Sequence, residues 1–207
     1  MSGDPSLQPV EIRDGAARFP GATGGSFSRM AARIELRDFG PDDAAAVHRW
    51  FNNAEVTADL VGSRDHFSED DARGWVERAM DTSRDRKWAI LLDGAPEPVG
   101  FVALFGLARE TGPELAVLVG DPAAWGKGVA REAERQACIH AFEDHGAHRI
   151  HAEIPATNHA AQKVVSFLGF QREGVMRKAI RRDGDTVDNE VWGLLPEEFK
   201  GWRTERS

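Results

Sequence analysis

The chain has 207 residues, which suits one domain of ordinary size, and 41% of them are hydrophobic, enough for a packed core. Its 34 acidic and 26 basic residues give a formal charge of −8, which argues against nucleic-acid binding as its main task. A single cysteine, Cys138, excludes an intrachain disulfide, and no apolar run resembles a membrane span or a secretory signal. We therefore expect a cytoplasmic protein with neither nucleic acid nor membrane as a partner.

The first 31 residues are rich in Gly, Pro, Ser and Ala and have no sustained period, so we expect a flexible extension there and one domain over residues 32–203. Hydropathy periodicity predicts the elements of that domain. In chain order they are a strand at 33–38, helices at 44–51 and 68–80, strands at 87–92, 98–105 and 114–119, a helix at 126–145, a strand at 149–154, a helix at 158–168, and a hairpin of 170–181 with 186–194.

Three consecutive strands joined by short turns predict an antiparallel meander, and the long helix after them predicts a crossover to a parallel strand. The expected fold class is α+β (mixed α/β): a single domain with one mixed, mainly antiparallel sheet and helices on both faces.

A glycine-containing turn joins the strand at 114–119 to the long helix. Its sequence is Trp125-Gly126-Lys127-Gly128-Val129-Ala130. The first N–H groups of a helix have no partner inside the helix, and the helix dipole adds partial positive charge there. Glycine also lets an anion approach the main chain closely. The turn therefore predicts a site for a phosphate or pyrophosphate.

Two common phosphate-binding motifs fit this turn poorly. A P-loop requires the pattern G-x-x-x-x-G-K-[ST], which the chain lacks. A dinucleotide-binding turn requires G-x-G-x-x-G; Gly126 and Gly128 supply two glycines, but Arg131 occupies the third position and the preceding strands are antiparallel. A nicotinamide-dinucleotide-binding protein thus remains the less favoured alternative.

Several ordered motifs resemble a known family. The turn matches the Gln/Arg-x-x-Gly-x-Gly/Ala pattern, with Gly128 and Ala130 in its last two positions and Trp125 in place of its first residue. Downstream, Asn158-His159-Ala160-Ala161 and Leu168-Gly169-Phe170 resemble Asn-x-x-Ser and Leu-Gly-Phe. These are features of the GCN5-related N-acetyltransferases (GNAT), in the branch that resembles ribosomal-protein N-terminal and spermidine acetyltransferases.

The resemblance implies acetyl-CoA as cosubstrate and no metal. It also implies two kinds of main-chain contact, with the pyrophosphate in the turn and with an extended pantetheine arm beside the preceding strand. The implied cofactor contacts are Leu118 and Val119, with Val117 as a further candidate, then Trp125, Gly126, Lys127, Gly128, Val129, Ala130 and Arg131, and finally Asn158. Asn158 is also a good N-cap for the helix that it opens.

The implied chemistry is transfer of an acetyl group to a primary amine, which must lose a proton before it can attack. The family places an acid at the position of Glu114, the leading base candidate, although a structural carboxylate there is an equal alternative. Asp188 is a second candidate for the base or for acceptor contact, and His66 a candidate for the acceptor pocket. Asn158 is counted with Glu114 as catalytic because it can orient the pantetheine or a water.

Two features leave the function open. The chain contains no tyrosine, and Ala161 replaces the serine of Asn-x-x-Ser, so neither residue that the family often uses as general acid for the departing thiolate is present. A noncatalytic acyl-CoA-binding module is therefore an alternative to an enzyme. If the chain is an enzyme, the acceptor is either a protein N-terminus or a small-molecule amine, and a homodimer is compatible with the sequence.

Overall fold

The computed structural model describes residues 16–17, 33–58, 60, 66–182 and 184–205. Its strands are β1 (Ala16–Ala17), β2 (Ile34–Arg37), β3 (Arg86–Leu92), β4 (Gly100–Phe105), β5 (Glu114–Val119), β6 (Ile150–Pro155), β7 (Gln171–Arg182) and β8 (Asp185–Leu194). The helices are α1 (Ala44–Phe51), α2 (Ala54–Thr57), α3 (Glu69–Met80), α4 (Val129–Ile139) and α5 (His159–Leu168).

The described strands form one sheet in the order β1-β2-β3-β4-β5-β6-β8-β7. All neighbours are antiparallel except β5 and β6. These two are parallel because the connection through α4 returns the chain to the end of the sheet at which β5 begins. This confirms the predicted meander, the crossover and the α+β class. Of the expected N-terminal extension, Ala16–Ala17 pairs with β2, and the rest lies outside the described residues.

The long helix begins later than its sequence pattern predicts. We expected helix from residue 126, but α4 starts at Val129 because Gly126 and Gly128 adopt left-handed backbone angles, with φ of +72° and +79°. At its other end the helix continues as a π-helical turn over His140–Asp144. The residues between β5 and α4 therefore form an open turn rather than the first turn of a helix.

Two apolar clusters cover the two faces of the sheet. On one face α4 and α5 pack over a cluster that includes Leu115, Ile150 and Leu194. On the other face α1 and α3 pack over a cluster that includes Trp50 and Leu118. Leu115 and Leu118 lie on opposite faces of β5, as alternation along a strand requires.

Polar contacts fix the ends of the helices on the second face. The carboxylate of buried Asp43, just before α1, accepts two hydrogen bonds of 2.7 Å from Arg37 of β2. Ser68 and Asp71 form a capping box at the start of α3: Asp71 N–H donates to Ser68 Oγ at 3.1 Å, and Ser68 N–H donates to Asp71 Oδ2 at 2.9 Å. The first contact ties the start of α1 to β2, and the capping box satisfies N–H groups at the start of α3.

Glu134 of α4 is a buried carboxyl, and its Oε2 has no hydrogen-bond partner in the described part of the chain. Burial raises the pKa of Glu134 from 4.5 to about 8. The folded protein thus keeps a proton that the unfolded chain has already released, so stability falls as pH rises from 4.5 and levels off above 8.

We expect Glu134→Gln to remove this pH dependence. Between pH 7 and pH 9 the unfolding free energy of the wild type should fall by about 1.4 kcal/mol more than that of the variant. Thermal unfolding followed by circular dichroism would then show an extra drop of roughly 3–6 °C in the wild type. Parallel pH profiles for the two proteins would contradict a proton held at Glu134.

Candidate active site

Strands β5 and β6 separate almost as soon as they meet. Their register within the described residues consists of one pair, Glu114 opposite His151, where His151 N–H donates to Pro113 O at 3.0 Å. From there Leu115–Val119 of β5 and Ala152–Pro155 of β6 run without ladder partners between them. The sheet therefore contains a V-shaped opening with its apex at Glu114 and His151.

The main-chain groups of β5 that face this opening can be identified from the ladder. Gly120 N–H donates to the carbonyl of Val99, just before β4, at 2.8 Å. Because hydrogen bonds along an antiparallel pair alternate, Leu118 also directs its main-chain groups to β4, whereas Val117 and Val119 face the opening. Leu118, one of the contacts implied by the resemblance, thus uses its main chain within the sheet, whereas the further candidate Val117 directs its main-chain groups into the opening.

The glycine turn lies just after the open end of β5. Glu132 N–H makes the first hydrogen bond of the α4 helix, to Gly128 O at 3.1 Å. The N–H groups of residues 126–131 donate to no acceptor in the described part of the chain. A Cβ atom on Gly126 would have no atom within 4 Å, and one on Gly128 would meet Arg131 Nη2 at 3.5 Å. This row of free donors around open space fits a diphosphate.

Trp125 fixes the turn to β5. Its indole Nε1–H donates to Val119 O at 2.8 Å, while the side chain remains 45% exposed. The contact holds the turn against the strand and occupies the Val119 carbonyl. An extended ligand in the opening would therefore find three main-chain groups at these two residues: both groups of Val117 and the N–H of Val119.

We expect Trp125→Phe to weaken binding of CoA by about three- to tenfold, because one hydrogen bond that orders the turn is lost while the ring is kept. Isothermal calorimetry with CoA would measure the change. Trp202→Phe is a matched control, since Trp202 Nε1–H donates to a carbonyl outside the turn, that of Pro196, at 3.1 Å. Equal affinities for the two variants would contradict a role of Trp125 in ordering the turn.

Glu114 stands at the apex with a carboxylate that forms no hydrogen bond or salt bridge to any described residue. Alternation directs its side chain to the face of α1 and α3, since Leu115 and Val117 pack on the opposite face. His151 points to the same face, because its neighbours Ile150 and Ala152 pack under α4 and α5. A carboxylate and an imidazole thus lie on neighbouring strands and on the same face of the sheet where the opening begins.

A second carboxylate near the apex is already engaged. Glu173 of β7 accepts two hydrogen bonds, of 2.8 and 2.7 Å, from the guanidinium of Arg149. These bonds lower the pKa of Glu173 and keep it ionised. Sequence patterns did not select His151, Arg149 or Glu173, because their proximity depends on strand register.

The remaining predicted residues have different surroundings. Asp188 Oδ1 accepts from the main-chain N–H of Lys178 at 2.7 Å, where Lys178 has φ of +54° in an irregular part of the β7–β8 hairpin. The Asp188 carboxylate therefore stabilises the hairpin. His66 is exposed and lies edge-on to His48 of α1, with ring centroids 6.3 Å apart, and the structure does not bring it to the apex pair through any described contact.

Asn158 caps α5, as its sequence position also allowed. Its Oδ1 accepts from Ala161 N–H at 3.0 Å, and within the described residues its Nδ2 donates no hydrogen bond. The amide group thus has a fixed orientation shortly after β6, and its donor hydrogens stay free of other described residues.

The described residues contain no group of three or more His, Cys, Asp or Glu side chains that could hold a metal ion. No described helix has both the length and the apolar composition needed to cross a bilayer.

Comparison with known proteins identifies the family. A model of the acetyltransferase (GNAT) domain matches residues 33–171. The chain is 27% identical over 171 residues to YoaA, an uncharacterized N-acetyltransferase of Bacillus subtilis, a match that covers 79% of this chain and 93% of that protein.

Solved structures agree. A GNAT-family acetyltransferase from Bacillus anthracis has a TM-score of 0.71 and 26% identity, with 82% of this chain and 99% of the other covered. A spermidine N-acetyltransferase from Vibrio cholerae, solved with CoA and spermine, shares the fold at a TM-score of 0.72 and 19% identity, with 80% and 96% covered. The chain belongs to the GNAT family and is an acetyltransferase, which confirms the resemblance found in its motifs.

Proposed function

We propose that this acetyltransferase transfers the acetyl group of acetyl-CoA to a primary amine, with Glu114 as the general base. The observation that carries the proposal is the V-shaped opening, which has a half-buried, unbonded carboxylate at its apex and a row of free N–H donors beyond its open end. A long donor with a diphosphate at one end and a reactive carbonyl at the other suits that arrangement.

Different groups of the protein would bind different parts of the donor. The N–H groups of residues 126–131 would hold the diphosphate, with Lys127 and Arg131 adding positive charge. Val117 and Val119 would pair with the amides of the pantetheine arm as if it were an added strand. Asn158 would donate from Nδ2 to the same arm. These contacts support a thioester placed near the apex.

The acetyl transfer then needs one proton acceptor. Glu114 would take a proton from the ammonium form of the acceptor, directly or through a water. This would free the lone pair of the acceptor nitrogen for attack. The amine nitrogen forms a bond to the thioester carbonyl carbon and gives up its second proton to water, the carbon–sulfur bond breaks, and the thiolate leaves. With a reference pKa of about 8.5, a thiol is a tolerable leaving group without a dedicated acid. Solvent would supply its proton in a chain that has no tyrosine.

The acceptor would approach from the face of α1 and α3, because the Glu114 side chain points there. Two acceptor classes remain: a protein N-terminal amine, which needs an open groove, and a small amine, which needs a closed pocket. The Vibrio cholerae neighbour was solved with a polyamine, but at 19% identity it supports only the fold.

Release of free thiol tests the proposal. The protein is incubated with acetyl-CoA and a panel of polyamines, amino sugars, amino acids and short peptides with free N-termini, and free CoA is followed with a thiol reagent. Acceptor-dependent release supports acetyl transfer and identifies the class. Binding of acetyl-CoA without release for any amine would favour a noncatalytic acyl-CoA-binding module, and tight binding of NADH instead would favour a nicotinamide-dinucleotide-binding protein.

A further inference from the structure

His151 lies between two carboxylates on one face of the sheet. On β5 its ladder partner is Glu114, and on β8 its partner is Gly193. Partners in a ladder direct their side chains to the same face, but Gly193 has no side chain. The carboxylate of Glu173 takes that space, because a Cβ on Gly193 would overlap Glu173 Oε1. The imidazole therefore has Glu114 on one side and Glu173 on the other.

Glu173 is a fixed negative charge beside this imidazole. Its pKa is lowered chiefly by the hydrogen bonds from Arg149, and the charge of His151 contributes to the lowering, so the two groups are within electrostatic reach. The Glu173 carboxylate is occupied by Arg149, whereas the His151 ring forms no hydrogen bond to any described residue. Glu114 and His151 thus keep proton-accepting atoms free, and Glu173 supplies charge.

A carboxylate alone holds the proton of an ammonium group poorly. Reference amines bind a proton about four to six pKa units more tightly than a carboxylate does, so a proton taken by Glu114 tends to return to the amine. A reference imidazole binds a proton about two pKa units more tightly than a carboxylate. Transfer from a carboxyl to a neighbouring imidazole is therefore favourable, and it leaves the carboxylate ionised.

We propose that His151 accepts the acceptor's proton from Glu114, directly or through a water, and holds it between Glu114 and Glu173 until solvent removes it. This inference rests on the proposed function, because it takes Glu114 as the group that deprotonates the amine. His151 itself touches neither the donor nor the acceptor. It acts through Glu114, whose ionised form it restores.

The proton transfers balance without a further reactant. An N–H bond of the ammonium breaks as an O–H bond forms on Glu114, and that bond breaks in turn as an N–H bond forms on His151. The resulting imidazolium lies between two carboxylates, which stabilise its charge. It releases the proton to water, since the ring is only half-buried. Each turnover therefore ends with both groups in their starting forms.

The kinetics of His151→Ala test this transfer. The assay follows thiol release from acetyl-CoA with the amine of the panel that the wild type uses fastest. We expect kcat to fall by about a hundredfold, the lower end of the range for general acid–base catalysis, while KM for acetyl-CoA stays unchanged. Added imidazole should restore much of the rate in proportion to its neutral form, and it should not accelerate the wild type. A loss caused by altered packing would not respond to imidazole.

Three further variants define how His151 acts. His151→Gln lacks a basic nitrogen but keeps a polar side chain; it should lose the same activity, and it carries the test if His151→Ala does not fold. His148→Ala removes an exposed histidine shortly before β6 and should retain full turnover. In a Glu114→Gln background, His151→Ala should lower the rate no further, because the proton reaches His151 only through Glu114. Thermal unfolding checks that each variant is folded.

Several results would overturn the transfer. Wild-type turnover in His151→Ala, or a loss that imidazole does not restore, would mean that no proton passes through His151. A loss in the double variant that multiplies the two single losses would mean that His151 acts independently of Glu114. In each case thiol release by the wild type, and its loss in Glu114→Gln, would leave the proposed function standing. A wild type that releases no thiol with any amine of the panel overturns both.

Discussion

Replacing Gly128 with valine should lower the affinity for CoA by about a hundredfold. Gly128 has φ of +79°, a conformation that a β-branched residue avoids, and its Cα lies among the N–H donors of the turn. A valine would move the main chain and place methyl groups where the phosphate oxygens should lie. Loss of one or two hydrogen bonds to a charged group accounts for about 3 kcal/mol, which corresponds to a hundredfold change in the dissociation constant.

The chain offers a matched control for this change. Gly146 also has a positive φ, +60°, with no atom within 4 Å of a Cβ built on it, but it follows the π-helical end of α4. Gly146→Val should therefore bear a similar backbone cost in thermal stability without any loss of CoA binding. Calorimetry and thermal unfolding on both variants separate the two effects. Unchanged CoA affinity in Gly128→Val would remove the turn from the binding site.

Glu114→Gln should lower kcat by about a hundred- to ten-thousandfold, the usual contribution of a general base, and leave the affinity for acetyl-CoA nearly unchanged. The amide keeps the shape of the side chain but cannot accept the proton of an ammonium. The rate of the variant should then follow the fraction of acceptor that is already neutral. Its kcat/KM should rise about tenfold per pH unit up to the pKa of the acceptor amine.

Glu110→Gln is the control, since Glu110 is an exposed carboxylate a few residues before β5 and outside the opening. It should leave the turnover and its pH profile as in the wild type. If Glu114→Gln also retains wild-type turnover at every pH, the base is another group. Asp188→Asn would be the next variant, with the expectation that it acts on hairpin stability, because its carboxylate holds the Lys178 N–H.

Local patterns in the sequence predicted most of the fold. Alternation and helical periodicity set the element order, and Ala44–Phe51 and Glu114–Val119 end at the predicted residues. The main error, the start of α4, came from treating Gly126 and Gly128 as helical when both adopt positive φ. Hydropathy carries no information on that choice, whereas the glycines themselves could have signalled it.

The site was harder to predict because it depends on pairing between distant strands. A glycine turn is visible in a sequence, and so the free donors of residues 126–131 were expected. The position of His151 opposite Glu114 depends on the register of two strands joined by a long crossover, which no local pattern specifies. Likewise, whether Leu118 or Val117 directs its main chain into the opening depends on which edge of each β5 residue bonds to β4.

The single ladder pair between β5 and β6 divides the main-chain hydrogen bonding of the sheet into two blocks, held together mainly by the side chains beneath them. A donor bound between the blocks would form hydrogen bonds, as an added strand does, with main-chain groups that are otherwise left to solvent. Binding of the donor and stability of the domain would then be coupled. The domain would be more stable with the donor bound than without it, and hydrogen exchange at the amides of Val117 and Val119 would be slower in the complex.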